Sequence, residues 1–395
     1  MLLTTIFWAS LFLVIYPHLI YPPLIAVLAR YFPTKRSFEE YSEDWPSVTF
    51  IISAFNEEDV LNAKLQNATE MHYPETRLKI MVISDASDDN TDAIVEAWSQ
   101  RDSRILLHRQ EQRLGKTMGL NAGVAKAASD LLVFSDANAM YQENALKELV
   151  KSFKEEKVGY VVGAALYNKD HQSGANQSED LYWNLELKLK EWESGFYSVV
   201  GGDGAIYAIR RHLFWELDAD DINDFVNPLQ IVAAGYLGLF NPKAICYEDT
   251  AEEFEKEFKR KRRIVNRSWR AFRKNVSRFS FPAHGRFLFE LYSHKVIRWL
   301  AVAFLLTATV SSGILSFYSQ GVVYPAVFLG LIGSLIVALV GSYFDRRGAE
   351  MPRLVYLCYY FYFVNFSAIL GILDNAKGVR HITWDHVRGD NQGQQ

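Results

Sequence analysis

The sequence is poor in cysteine: Cys246 and Cys358 are its only two, far apart in 395 residues. That excludes a disulfide framework and a cysteine-rich zinc site, and it fits a reducing compartment. Net charge is small, −4, so the average composition points to no partner. Charge is nearly missing from both ends of the chain and dense in the middle. Four stretches carry almost none: Leu2 to Ala29, broken by Pro17, Pro22 and Pro23; Val296 to Phe317; Val322 to Phe344; and Leu354 to Leu373. A hydrocarbon core of ~30 Å takes ~20 apolar residues in a helix, and each stretch reaches about that length. The first lacks a basic start and runs too far before Arg30, Lys35 and Arg36 to be a plain signal peptide. Those cations place its C-terminal end, and the segment after it, in the cytoplasm. One N-terminal and three C-terminal crossings would leave the tail outside, yet the tail carries Lys377, Arg380 and Arg388. Either one stretch is interfacial or re-entrant, with the proline-broken first and the glycine-interrupted third as suspects, or the charge rule fails.

The middle, from about Ser47 to Glu248, reads as alternating strand and helix. "SVTFIISAF", "LKIMVISDAS", "RILLHRQ" and "DLLVFSDA" have the β-branched, apolar character of strands. Helical spacing follows in "VLNAKLQNATEM", from Thr91 to Ser99, and in "GKTMGLNAGVAKA". Such alternation implies a mostly parallel sheet covered on both faces, with ligands outside the carboxyl ends of its strands. Asn56, Glu57, Asp85, Asp136 and Asn138 all follow strand ends. A single acid there is usually a turn or a cap. Three such ends in a row, joined by a Gly-Lys helix start, favour a shared site on one rim. An acid beside a second oxygen donor suits Mg²⁺ or Mn²⁺, which one or two carboxylates and substrate phosphates commonly hold.

The motifs in order resemble the membrane-bound family 2 glycosyltransferases of GT-A fold, the group of the poly-N-acetylglucosamine, chitooligosaccharide and hyaluronan synthases. "ISAFNEED" resembles their first-strand motif, "VISDASDDNTD" the second acidic motif, and "GKTMGLNAG" the Gly-Lys motif. "SDANAM" stands at the Asp-x-Asp position, with Asn138 replacing the second Asp. "GGDGAIYAIRR" resembles the Gly-rich acceptor-side segment, and "DDINDFVNPLQ" opens the stretch that holds the catalytic base. "SHKVIRWL" resembles the run into the C-terminal spans. The resemblance covers almost the whole chain. It implies that Asp85, with Ala54 and Glu57 of the first motif, meets the nucleoside. Lys116 would approach the phosphates, Asp136 and Asn138 the metal, and Asp224 would be the general base of an inverting displacement. Asp220 and Asp221 are near neighbours, and spacing alone does not choose among the three.

Gly202, Asp203 and Gly204, beside Gly201, are expected on the acceptor side. Trp183 either stacks on a sugar or belongs to the core, as aromatic residues at helical spacing more often do. The basic run "EFKRKRRIVNRSWRAFRKNVSRF" reads chiefly as an amphipathic helix on anionic lipid, not a nucleic-acid surface. Arg260 and Arg263 fall where processive relatives carry Gln-x-x-Arg-Trp, and there they suit diphosphate contact. Ile264 replaces that motif's Trp, which removes a stacking platform for a growing chain. Trp384 of "HITWDHVR" reads as an interface anchor.

The expected organisation is therefore α/β: a GT-A, Rossmann-like nucleotide-sugar-binding domain with N-terminal and C-terminal transmembrane helices. The segments are 1–30 (transmembrane), 45–250 (cytoplasmic catalytic domain), 251–295 (basic interface helices), 296–375 (transmembrane) and 376–395 (polar tail). The expected activity is metal-dependent, inverting transfer from a UDP-sugar to a lipid-linked or polysaccharide acceptor at the inner membrane. The alternatives are a processive synthase that also translocates its polymer and a non-catalytic membrane scaffold.

Overall fold

The computed structural model describes residues 1–34, 44–167, 176–248, 254–318 and 320–382. Lys35, Arg36, Trp384 and Arg388 lie outside the described residues. Eight strands form one sheet: β1 Val48–Ala54, β2 Leu78–Ser84, β3 Ile105–Arg109, β4 Leu131–Asp136, β5 Met140–Tyr141, β6 Val158–Tyr167, β7 Tyr207–Arg210 and β8 Leu237–Glu248. Their order is β3-β2-β1-β4-β7-β6-β8-β5. Only β7 and β5 run against the rest, so the expected mostly parallel sheet is present.

The helices are α1 Leu2–Ile15, α2 Tyr21–Tyr31, α3 Glu58–Thr69, α4 Thr91–Ser99, α5 Lys116–Lys126, α6 Ala145–Lys151, α7 Asn176–Phe196 and α8 Asn223–Ala233. They continue as α9 Phe254–Asn275, α10 Phe281–Leu291, the single turn α11 Ile297–Trp299, α12 Ala301–Tyr318, α13 Val323–Arg346 and α14 Arg353–Ala376. The period-2 pattern of the strands fills two cores. Val48, Phe50 and Ile52 of β1 join one face with Leu78, Ile80, Val82, Leu131 and Val133. Ile51, Met81, Ile83, Leu132 and Phe134 join the other. Register then sets the rim, because Ala54 pairs with Ser84 and Ser53 with Asp136. The ends of β1, β2 and β4 are level, so the residues just past these ends are held together.

Among the described residues four helical stretches are long and apolar enough to cross a membrane: Leu2–Tyr31, Ala301–Tyr318, Val323–Arg346 and Arg353–Ala376. The prolines of the first coincide with a π-helical turn, Tyr16–Ile20, between α1 and α2. The fourth is the anomalous one. One face of the basic helix α9, stepping through Phe254, Phe258, Arg262 and Asn266, lies along α14. Phe254 meets Tyr356, Tyr359 and Phe363, and Phe258 meets Phe363. Arg262 forks onto Asp374 at 2.5 and 2.7 Å. At Gly371 a Cβ would come within 2.5 Å of the Arg262 carbonyl oxygen, so only glycine permits that approach. The chain beyond α14 stays on the α/β unit: Asn266 Nδ2 donates to Val379 O at 3.3 Å and Arg380 lies 3.5 Å from Asp220. The suspects drawn from proline and glycine content were the first and third stretches. In the structure it is the fourth that packs along the basic helix α9, through Phe254, Phe258 and Arg262, while Ser334 and Asp345 of α13 meet its Tyr362 and Tyr359 on another side.

Candidate active site

The rim is built in two halves. On the β1–β2 side, Asn56 and Asp88 pair reciprocally, Asn56 Nδ2 to Asp88 Oδ1 at 2.5 Å and Asp88 N to Asn56 Oδ1 at 3.0 Å. Asn56 is in the left-handed region at φ +52°, which asparagine tolerates better than most residues. Glu57 is the N-cap residue of α3, and its amide donates to Thr91 Oγ1 at 2.8 Å. The Ala54 carbonyl accepts from Asp85 N at 3.0 Å while its methyl is buried.

Asp85 itself is buried, and its carboxylate accepts from Gln110 Nε2 at 2.6 Å, Leu114 N at 2.9 Å and Gly115 N at 3.0 Å. Burial pushes its pKa up, against the pull of the Leu114 and Gly115 amides. Asp85 thus shapes the loop that delivers Lys116. Gly115, at φ +89°, makes the turn into α5. The Arg113 guanidinium stacks 3.8 Å from the centre of the Phe55 ring, which follows β1.

The other half converges on Gly204. A Cβ there would lie 3.4 Å from Asp136 Oδ2, 3.5 Å from Asp224 Oδ2 and 3.6 Å from Lys116 Nζ. Lys116 is ion-paired with Asp136 through Oδ1. Gly202 sits against Asp224, donating its amide to the Asp224 carbonyl, and a Cβ would be 2.8 Å from that oxygen. Asp224 lies in the first turn of α8. Burial raises its pKa, Asp203 and Asp136 add to the rise, and Lys116 and Arg267 oppose it. Asp203 is bound by Lys190 of α7 at 2.9 Å, the lysine buried and the aspartate largely so. Burial would raise the Asp203 pKa, but the Lys190 ammonium outweighs it and holds the carboxyl below its usual range.

Geometry also separates the three neighbouring acids. Asp218, Asp220 and Asp221 bring ligand atoms within 4.8 Å of one another, but cations already balance them. Arg270 lies 2.5 Å from Asp220, and Lys274 lies 2.7 Å from Asp218 and 3.0 Å from Asp221. Only Asp224 of this stretch faces Gly204. Trp183 is half-buried at the edge of the core, donates its indole N–H to Ala165 O at 2.7 Å and packs on Tyr167. Asn138 is half-buried and makes no side-chain hydrogen bond among the described residues. Arg260 is bound to Glu257 at 3.3 Å, and its charge acts on Glu248. The Arg263 charge acts on Arg267.

Three groups escaped the sequence reading. Glu248 ends β8, and burial, then Asp136 and Asp203, push its pKa up to about 8. It obeys the same strand-end rule as Asp136, so it could have been found. Arg267 is buried and donates to Thr117 Oγ1 at 3.0 Å and to the Asp220 and Asp221 carbonyls, locking α5 to the approach to α8. Lys64 is fully buried beneath Asp136, and burial lowers its pKa to about 7. Its signal was a lysine on the apolar stripe Leu61, Lys64, Leu65 and Ala68 of α3.

The Glycosyl transferase family 2 model matches residues 49–218. That span holds the strand-end acids and the Gly-Lys helix start, and its sequence is similar to a family 2 glycosyltransferase domain. The chain is 26% identical over 268 residues to "Probable glycosyltransferase YdaM" of Bacillus subtilis (strain 168), covering 65% of this chain and 63% of that one. It is 25% identical over 212 residues to "Poly-beta-1,6-N-acetyl-D-glucosamine synthase" of Staphylococcus aureus (strain MSSA476), covering 52% and 50%. The alignments thus span half to under two-thirds of these relatives. A mannosyltransferase from Pyrobaculum calidifontis, solved with GDP-Man and Mn²⁺, superposes with a TM-score of 0.73 at 21% identity over 95% of this chain and 99% of that one. That likeness shows the fold: the α/β unit has the expected GT-A architecture.

Proposed function

We propose that this protein moves a sugar from a UDP-sugar to a lipid-linked or polysaccharide acceptor by metal-dependent, inverting displacement. The observation that carries it is the meeting of Asp136, Lys116 and Asp224 around the bare backbone of Gly204. Asp224 takes the proton of the acceptor hydroxyl as its oxygen attacks the anomeric carbon, and UDP leaves from the opposite face with the bonding electrons. A carboxylate whose pKa is raised by burial suits that role. Asp85 and its loop, with Ala54 and Glu57, border the nucleoside, and Arg260 and Arg263 stand toward the diphosphate. Gly202, Asp203 and Gly204 form the acceptor side.

The residues fit a hard cation. Asp136 and Asn138 offer oxygen ligands, and the Glu248 carboxyl, its pKa raised by burial and then by Asp136 and Asp203, adds a further oxygen group near Asp136. Bound Mg²⁺ or Mn²⁺ supplies charge neutralisation of the leaving diphosphate. Purified full-length protein incubated with a panel of UDP-sugars and Mn²⁺ should release UDP with at least one of them. No release from any donor would favour a binding scaffold instead.

The same reading divides the chain as 1–30, 45–250, 251–295, 296–375 and 376–395, with one amendment. Three stretches cross the inner membrane, and α14 lies at its cytoplasmic surface along α9. The tail cations then face the cytoplasm, as Lys377 and Arg380 require. In sealed vesicles, Lys377→Cys should react with a membrane-impermeant maleimide from the same side as Glu143→Cys, and Leu2→Cys from the other. Labelling of Lys377→Cys together with Leu2→Cys would overturn the amendment.

A further inference from the structure

We propose that Lys64 is a positioning residue that clamps the Asp136–Asn138 turn in its cation-holding shape. The inference rests on the metal-dependent reading above and adds a residue to it. Lys64 belongs to α3, remote in sequence from the turn, and its side chain is 0% exposed. Its Nζ donates to Ser135 Oγ at 2.9 Å and to the Ala139 carbonyl. Those residues bracket the turn. Ser135 Oγ passes a further bond to the Asp136 carbonyl at 3.0 Å, and Ala139 N closes on the same carbonyl at 3.3 Å.

The remaining face of the ammonium is boxed by aromatic rings, 5.0 Å from the centre of Phe50 and 4.6 Å from that of Tyr141. Three residues further along α3, Asn67 takes both backbone groups of Tyr141, each at 2.8 Å. The Tyr141 hydroxyl then donates to Ala205 O at 3.0 Å, next to Gly204. One helix face therefore grips the turn with Asp136 and the loop with Gly204 together.

An apolar side chain would fill this place on the stripe without desolvating a charge, and burying an ammonium is costly unless it is hydrogen-bonded. The gain lies in fixing two oxygens of a turn whose side chains must converge on a cation. Polar groups that orient metal ligands typically change metal affinity ~10–100-fold when removed.

The test uses full-length protein in detergent, with Mn²⁺ and UDP as probes. Lys64→Met keeps the length and apolar bulk of the stem. Its Mn²⁺ affinity, read by electron paramagnetic resonance in the presence of UDP, should fall at least ~10-fold. UDP affinity in EDTA should stay within about two-fold, a split that general loosening would not give. Ser135→Ala should lose several-fold in Mn²⁺ affinity, and Lys64→Met/Ser135→Ala should be no worse than Lys64→Met alone. Folded Lys64→Met with unchanged Mn²⁺ affinity, or a parallel loss of both affinities, would overturn the clamp. If Lys64→Met does not fold, Ser135→Ala decides: unchanged Mn²⁺ affinity overturns the proposal. Wild-type protein that binds no Mn²⁺ with UDP would overturn the functional reading and the clamp with it.

Discussion

The two halves of the rim use the same residue types in opposite ways. Around β1 and β2, acids meet neutral donors: Asp88 meets an asparagine, Asp89 the amides of Glu58 and Thr91, and Asp85 the loop before α5. Around β4, β8 and α8, acids meet cations and one another: Asp136 with Lys116, Asp203 with Lys190, and Asp224 and Glu248 among both. The first arrangement fixes loops, because a carboxylate that accepts several N–H bonds holds backbone in place. The second leaves charge poised, because opposed carboxylates in a low-dielectric setting change protonation readily. Position at a strand end therefore says where an acid is, and its partners say what it can do.

The sharpest way to break the contrast is Asp224→Asn. Removing the poised acid should cut transfer ~10²–10⁴-fold while UDP affinity stays within about three-fold, measured by UDP release and by calorimetry. Equal loss of both would move Asp224 into the loop-fixing class. Gly204→Ala comes next. Its methyl would stand at ordinary contact distance from Asp136, Asp224 and Lys116. The melting temperature should hold while transfer falls ~10-fold or more, since misplacing reacting groups by about 1 Å is enough for such a loss. An active Gly204→Ala enzyme would show that the three groups do not share a ligand.

The smallest expected effect concerns Glu248 in metal-free protein. Its pKa is raised from 4.5 to about 8 on folding, so the native state binds the extra proton and stability falls as pH rises between those values. Glu248→Gln should match wild type near pH 4 and exceed it by at least about 1 kcal/mol at pH 9, read by thermal unfolding in EDTA. No pH-dependent difference would place Glu248 with the solvated acids.

Much of this was legible beforehand. The four β-strands of the first half and the helices after them fall within a residue or two of their sequence signals, because apolar runs and helical spacing are local properties. The strand-end acids were found for the same reason. Lys64 stands on an apolar stripe that the sequence shows but does not explain. Burial of a lysine becomes informative only when its partners are known, and Ser135 and Ala139 are 71 and 75 residues away. Trp183 reads from spacing as core or sugar contact; in the structure it is half-buried, with its indole N–H on Ala165 O, a partner spacing does not reveal. Asp224 is chosen over Asp220 and Asp221 by the resemblance alone; that Arg270 and Lys274 of α9 balance the other two is visible only in the structure.

By itself the sequence determined the alternating α/β layer, its apolar ends and the rim on which polar groups gather. These follow from periodicity and hydrophobic length, which neighbouring residues set among themselves. Only the tertiary structure decided which acids are neutralised and which face each other, and that α14 lies along α9. Electrostatic partnership depends on distance in space, and the partners here come from helices far away along the chain.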